Sequence, residues 1–369
     1  MLFDVELTPR KEIPSWIGYI TPIATILASL LVCSVILLAL NVNPIKAYEM
    51  MFIQTLTTES GLIFTINKAV PLILVGVAVY LPLKAQLLNI GAEGQLLAGA
   101  IVGTWIALNV SLPTILLIPL MFLGAGVAGL LWMAIPALLR TRFGINEIIT
   151  TLLFVFIAQR IVSYLVRGPM QQPGGNFPQS ASIPGVSQLP EVPGLGVSVG
   201  ILLATVLIIC VYIIINYTRL GYEITVTGAN DRAAEKSGIS KYKVYLFVLL
   251  AGAAFAGFAG INEIAGEEGR LRASFNPGYG FTGIPIALLG RNGALQVMLA
   301  AIFFAVIFVG GSNIETLLGV PSEIIGVLQA LIILFLLTAE FFKNYSVSMS
   351  LKSASKGGPR DNTDVEGGA

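Results

Sequence analysis

The stretch NIGAEGQ, residues 89–95, places Asn89, Glu93 and Gln95 among two glycines. On both sides of it the chain is lipid-like: apolar runs cover 69–83 and 87–109. A carboxylate in such a setting needs a reason, and the rest of the chain supplies the context. Of 369 residues, 56% are hydrophobic and 11% charged. A soluble protein of this size carries roughly a quarter charged residues. Mean hydropathy is +0.86. Apolar stretches of about 18–24 residues lie between the charge clusters, long enough to cross a bilayer as helices. The chain is therefore read as an all-α polytopic membrane protein. A β-barrel would instead alternate over segments of about ten residues.

Further apolar runs cover 17–40, 112–138, 146–166, 199–217, 243–262, 295–312 and 320–341. A tenth, 279–290, is short and rich in Gly and Pro (GYGFTGIPIALLG from 278). Basic residues favour the cytoplasmic side. Arg10 and Lys11, Arg140 and Arg142, the group from Arg219 to Lys243, and the C-terminal group fall on one side only if the short run also crosses. About ten crossings are then expected, one of them discontinuous, with both termini cytoplasmic. Fifteen of the 21 Lys and Arg lie inside on this topology and five outside, with Arg160 in a span. Residues 1–16 are expected as a cytoplasmic N-terminus without a cleaved signal, 17–341 as the transmembrane domain, and 342–369 as a polar, Gly-rich, disordered cytoplasmic tail.

Two loops stand out. The outer loop, 167–198, holds six Pro and six Gly within 167–196, so it cannot be a long helix. An ordered cap and a plain connector both fit it. The inner loop, 218–242, ends in NDRAAEKSGI, where Asn230 can cap a short helix and Gly238 can end it. Small residues recur in the spans, as Gly99 with Gly103, Gly124 with Gly126 and Gly129, and AGAAFAGFAG over 251–260, and predict close helix packing.

The chain lacks much chemistry. It has no histidine, and its two cysteines, Cys33 and Cys210, sit in apolar runs with no metal or disulfide spacing. No phosphate-binding G-x-x-x-x-G-K-[ST], no H-E-x-x-H and no G-x-S-x-G is present. No cofactor, metal, catalytic residue or nucleic-acid partner is implied. The chain reads as a conduit whose energy source lies elsewhere. Within NIGAEGQ, Asn89 can cap the helix that follows and Glu93 suits its positive end. Equally, Glu93 and Gln95 can face the bundle interior and lock helices around a translocation path.

Three regions resemble one family. NKAVPLILVGVAVYLPLKAQLLNIGAEGQLLAGA (67–100) is similar to the signature region of ABC importer permeases of the ribose and branched-chain amino-acid group, and NIGAEGQ points to those for nucleosides and simple sugars. VTGANDRAAEKSGISKYKVYLFVLLAGAAFAGFAG (226–260) resembles the loop and helix that engage the ATPase. GRLRASFNPGYGFTGIPIALLGRNGAL (269–295) resembles the discontinuous segment. The likeness spans about 60–340. It implies a permease that pairs with a second, often shorter and different permease, with ABC ATPase subunits, and with an external substrate-binding lipoprotein delivering a nucleoside. ATP hydrolysis then belongs to a separate chain. Gly228, Asn230, Ala233, Ala234, Gly238 and Ile239 would form the ATPase-coupling element. Substrate-pathway candidates are Asn89, Glu93, Gln95, Asn276, Tyr279, Phe281 and Thr282. A sugar or branched-chain amino-acid permease, and an ion-coupled secondary transporter using Glu93, stand as alternatives.

Overall fold

A computed structural model describes residues 3–9 and 15–351. Its elements run in chain order as β1 (Phe3–Pro9), α1 (Ser15–Ala39), α2 (Pro44–Tyr48), a π-turn (Glu49–Gln54), α3 (Thr55–Thr57), α4 (Glu59–Lys84), α5 (Ala92–Asn109), α6 (Thr114–Phe143) and α7 (Glu147–Arg167). There follow α8 (Gly200–Tyr217), α9 (Arg219–Ala229), α10 (Asp231–Lys236), α11 (Lys241–Glu263) with a π-turn (Ile264–Glu268), α12 (Tyr279–Leu289), α13 (Ala294–Leu318), α14 (Ser322–Asn344) and β2 (Tyr345–Leu351). Among the described residues, six helices are long and apolar enough to cross a membrane: α4, α6, α7, α8, α11 with its π-turn, and α13. Shorter apolar helices lie within α1, α12 and α14. The 18-residue α5 opens on Glu93 and Gln95.

Local signals set the helix ends. Side-chain oxygens of Thr58, Asn146, Thr218 and Ser240 accept from backbone N–H groups in the first turns of α4, α7, α9 and α11. Gly144, Gly269 and Gly319 take left-handed conformations where α6, the second π-turn and α13 stop. Each predicted apolar run falls on one helix. However, α4 begins ten residues before its run, and the segment 44–57 and α9 form helical structure that apolar content does not announce.

Packing is arranged inside out. On α4, every residue from Ala69 to Pro82 is buried, as expected of a helix surrounded by others. α11 lies against α4, α5 and α6, where small residues let backbones meet. A Cβ on Gly257 would stand 2.2 Å from the Ala125 carbonyl oxygen, one on Gly260 2.0 Å from that of Leu96, and one on Gly129 2.3 Å from that of Ala253. The peripheral α7 buries one stripe, Thr151, Val155, Ala158, Val162 and Val166, and exposes Ile149, Leu153, Phe156 and Ile157. An exposed apolar surface of this kind belongs in lipid.

The Pro/Gly-rich loop is ordered. Ser180 and Ile183 donate backbone N–H groups to the Leu271 and Gly269 carbonyls at 2.8 and 2.9 Å, and Leu189 donates to Ala265 at 2.9 Å. Ser187 donates to the Ala107 carbonyl at 3.1 Å, and the Ser198 N–H to Asn67 at 2.9 Å. These bonds tie the segment to the residues that follow α11 and to α4 and α5.

The chain ends differ from expectation. α14 continues through Asn344, and Tyr345–Leu351 pairs antiparallel with Phe3–Pro9, so the polar tail does not begin at 342. At the other end α1 starts at Ser15, within the expected terminal segment. The ribbon is the departure from an all-helical architecture among the described residues. The rest of the expected tail, 352–369, lies outside them.

Candidate functional site

After α4 the chain turns sharply at Gln86, which takes a positive φ of 58°. It returns through Asn89 to α5, and the expected helix cap is not made. The N-cap position of α5 is Gly91, without a side-chain bond. Asn89 instead pairs with Gln95: each amide donates to the other's oxygen at 2.9 Å. Asn89 also donates to the Ala78 carbonyl at 3.4 Å. A primary amide carries both donor and acceptor, so two amides satisfy each other where water is absent. Both side chains are buried, and the pair ties the turn to α4 and α5.

Glu93 does stand in the first turn of α5, but its carboxylate serves another helix. One oxygen accepts from the Gly278 N–H at 3.0 Å and the other from the Gly280 N–H at 2.7 Å. These groups open α12, whose first N–H groups have no partner within the helix. A carboxylate there completes them and suits the positive end of the dipole. The opening requires glycine twice. Gly278 has φ +70°, and a Cβ on Gly280 would lie 2.1 Å from the Glu93 nitrogen. Residues 185 apart are thereby joined inside the bundle.

Tyr279, between those glycines, points into a charged cluster. Its hydroxyl accepts from Lys68 Nζ at 2.7 Å and donates to Glu263 Oε1 at 3.2 Å. Lys68 Nζ also reaches Glu263 Oε1 at 3.1 Å and Glu267 Oε2 at 2.6 Å. The Tyr279 ring meets Phe308 edge-on, with centroids 5.6 Å apart. Helices α4, α11 and α12 are thus tied at one point. A cavity of about 270 Å³ borders it, lined by Lys68, Glu263, Glu268, Arg272, Phe275 and Asn276 among others. None of Lys68, Glu263 and Glu267 was singled out from the sequence. Their signal was a charge at the edge of each of two apolar runs.

Of the remaining candidates, Asn276 accepts from Gln159 at 3.2 Å and Thr282 donates to the Gly278 carbonyl at 3.1 Å. Phe281 is exposed. The structure therefore brings Asn276 and Tyr279 onto a cavity wall, whereas Asn89, Glu93 and Gln95 fix the scaffold behind them. A second cavity, about 520 Å³, lies at the other end of α12, lined by Tyr80, Leu83, Lys84, Gln86, Leu288, Arg291 and Asn292. Lys68 and Lys84, one at each cavity, are about 24 Å apart along α4 at 1.5 Å per residue.

The inner loop folds as two short helices. Asn230 accepts from the Ala233 N–H at 3.1 Å, capping α10. The Ile239 N–H donates to the Ala234 carbonyl at 3.0 Å, with Gly238 at φ +82°. Ala233 and Gly238 are exposed, Ile239 is half-buried and Ala234 is buried. Gly228 faces inward, where a Cβ would stand 2.0 Å from the Lys84 carbonyl oxygen. Asp231 is paired with Lys241, whose ammonium holds the Asp231 carboxyl below the usual range.

The profile of the branched-chain amino acid transport system permease component matches residues 61–337. The chain is 53% identical over 374 residues to the glucose ABC transporter permease of Haloferax volcanii, covering 98% of each chain. It is 35% identical to the guanosine ABC transporter permease of Bacillus subtilis, over 73% of this chain and 79% of that one. It is 31% identical to the nucleoside ABC transporter permease of Lactococcus lactis, over 86% and 90%. No solved structure matches significantly.

Proposed function

The chain belongs to the permease-component family of the branched-chain amino acid transport systems, and from that premise we propose that it is the membrane subunit of an ATP-driven importer for a simple sugar. The relatives are transporter permease components seated in the cell membrane, and the apolar outer surface of the bundle agrees with that location. The observation that carries the sugar is the likeness to a glucose permease across 98% of both chains. A nucleoside is the second reading, favoured by the NIGAEGQ string and by the guanosine and nucleoside permeases at 35% and 31% identity. Both substrates present neutral rings of hydroxyls.

In this reading α1, α4–α8 and α11–α14 make ten crossings, with both ends cytoplasmic. The pairing of β1 with β2, which sets the two ends side by side, supports an even number. ABC ATPase subunits dock on the exposed face of α10, with Asn230, Ala233, Gly238 and Ile239 shaping it and Ala234 and Gly228 holding it to the bundle. A second, different permease completes the translocation unit, and a binding lipoprotein delivers substrate over the ordered loop. The discontinuous α12, with a cavity at each end, is the moving partition between the two sides. Substrate crosses when ATP-driven motion of α10 opens one cavity towards the other.

The test is reconstitution with the ATPase, the second permease and the binding protein. Labelled glucose and guanosine are then followed with and without ATP. ATP-dependent glucose uptake that needs every partner supports the proposal, and guanosine uptake alone transfers it to the second reading. Uptake by this chain alone under a proton or sodium gradient overturns both.

A further inference from the structure

We propose that the 270 Å³ cavity beside Tyr279 is a substrate-binding station for one neutral, polyhydroxylated ring, and that it has no affinity for anions or amino acids. The inference rests on the importer reading and adds a site to it. Three observations carry it. First, Glu263 stands on the cavity wall with 4% of its side chain exposed. Its Oε1 is shared by Lys68 and Tyr279, but its Oε2 is buried with no partner among the described residues. A buried acceptor left unmet is costly, and a hydroxyl donor satisfies it. Second, both cations on the wall are already engaged, Lys68 by Glu263 and Glu267, and Arg272 by Glu268 at 2.5 Å. A phosphate or carboxylate would have to compete with these carboxylates for the cations, whereas a hydroxyl need not. Third, the volume lies just under the range of about 300–1,000 Å³ typical of drug-sized ligands, which suits a single sugar ring.

The arrangement also gives the station a way to report occupancy. Lys68, Glu263 and Tyr279 belong to α4, α11 and α12, and Glu93 holds Tyr279 in place from α5 through Gly278 and Gly280. A hydroxyl that bonds to Glu263 Oε2 adds a contact to the residue these helices share through Oε1, and binding therefore acts on the start of α12, the partition itself.

The experiment uses the full importer complex in vesicles, with Cys210→Ser removing the exposed native thiol and Ser274→Cys placing a thiol on the exposed rim of the cavity. Glucose, guanosine, leucine and glucose 6-phosphate are added separately, and the rate of alkylation at position 274 is followed. At least threefold protection by glucose or guanosine, with none by leucine or the phosphate ester, is the expected result. Glu263→Gln and Asn276→Ala are expected to raise the apparent KM for uptake at least tenfold. Equal alkylation with every compound, or an unchanged KM in both variants while uptake proceeds, overturns the station and leaves the importer intact. Absence of ATP-driven uptake overturns the importer reading instead. Protection by leucine or the phosphate ester overturns the claim of neutral-ring selectivity.

Discussion

The carboxylate at position 93 accepts two backbone N–H groups from a segment 185 residues away. Hydrogen bonds to a charged group contribute about 1.5–3 kcal/mol each. Glu93→Gln keeps one acceptor and turns an amide NH2 towards an N–H donor, so one bond is replaced by a clash of donors. The variant is expected to lose about 2–3 kcal/mol, read as a lower thermal midpoint of the purified protein. Glu93→Ala is expected to lose more, because both N–H groups become orphans. If Glu93→Gln is as stable as the parent and only transport changes, the anchoring role is wrong. Gly280 is constrained from the other side. An added methyl there would stand 2.1 Å from the Glu93 nitrogen, and because that obstacle is backbone, no rotamer change relieves Gly280→Ala. The substitution is expected to cost about 3 kcal/mol, the upper end for overpacking, and to displace α12. Comparing its thermal midpoint with that of Gly278→Ala separates crowding at 280 from left-handed strain at 278.

At the scale of elements, α10 shows how far short sequence signals reach. Asn230, the alanines and Gly238 were legible as cap, helix and stop, because each acts through bonds to near neighbours in the chain. Gly228 was not. Its need for glycine comes from the Lys84 carbonyl on another helix, and no local pattern encodes that contact. The same distinction separates the amide pair of Asn89 and Gln95 from the cap expected at Asn89: the partner was six residues away, but only the sharp turn at Gln86 brings the amides together. The Asp231–Lys241 pair ties the start of α10 to the start of α11. Because Lys241 depresses the Asp231 carboxyl, this contribution is present in full above the unfolded value of about 3.9. It disappears as pH falls through the lower folded value. Hydrogen exchange at residues 233–239 is therefore expected to show no Asp231-dependent change from about pH 6 to about pH 8. The protection should weaken only under acid conditions, whereas Asp231→Asn should weaken it at every pH. A pH-dependent step near neutrality at these amides would contradict the pairing.

For the whole molecule, composition and the spacing of charges made the helical membrane architecture legible, since lipid leaves few alternatives for a chain this apolar. The charged cluster of Lys68, Glu263, Glu267 and Tyr279 stayed hidden because its members come from separate helices brought together only by tertiary packing. The position of α11, which carries Glu263, is set by the small-residue seam of α5, α6 and α11. Gly257 lies at its centre: an added Cβ would meet the Ala125 carbonyl oxygen at 2.2 Å on one side, and the Gly99 Cβ position would meet the Gly257 carbonyl oxygen at 2.3 Å on another. Without a hydrophobic drive between helices in lipid, such close packing carries much of their association. Gly257→Leu is expected to force α11 away from both neighbours. That shift would break the shared bonds of Glu263 further along the same helix, and uptake would fall at least tenfold with a lower thermal midpoint. Gly326→Ala on α14, where nothing among the described residues lies within 4 Å of the added methyl, should stay within about 0.5 kcal/mol of the parent. Equal tolerance at the two positions would mean that the seam does not set the geometry of the site. Loss at Gly257 alone would place the origin of that geometry in the seam, at a distance from every charged residue that uses it.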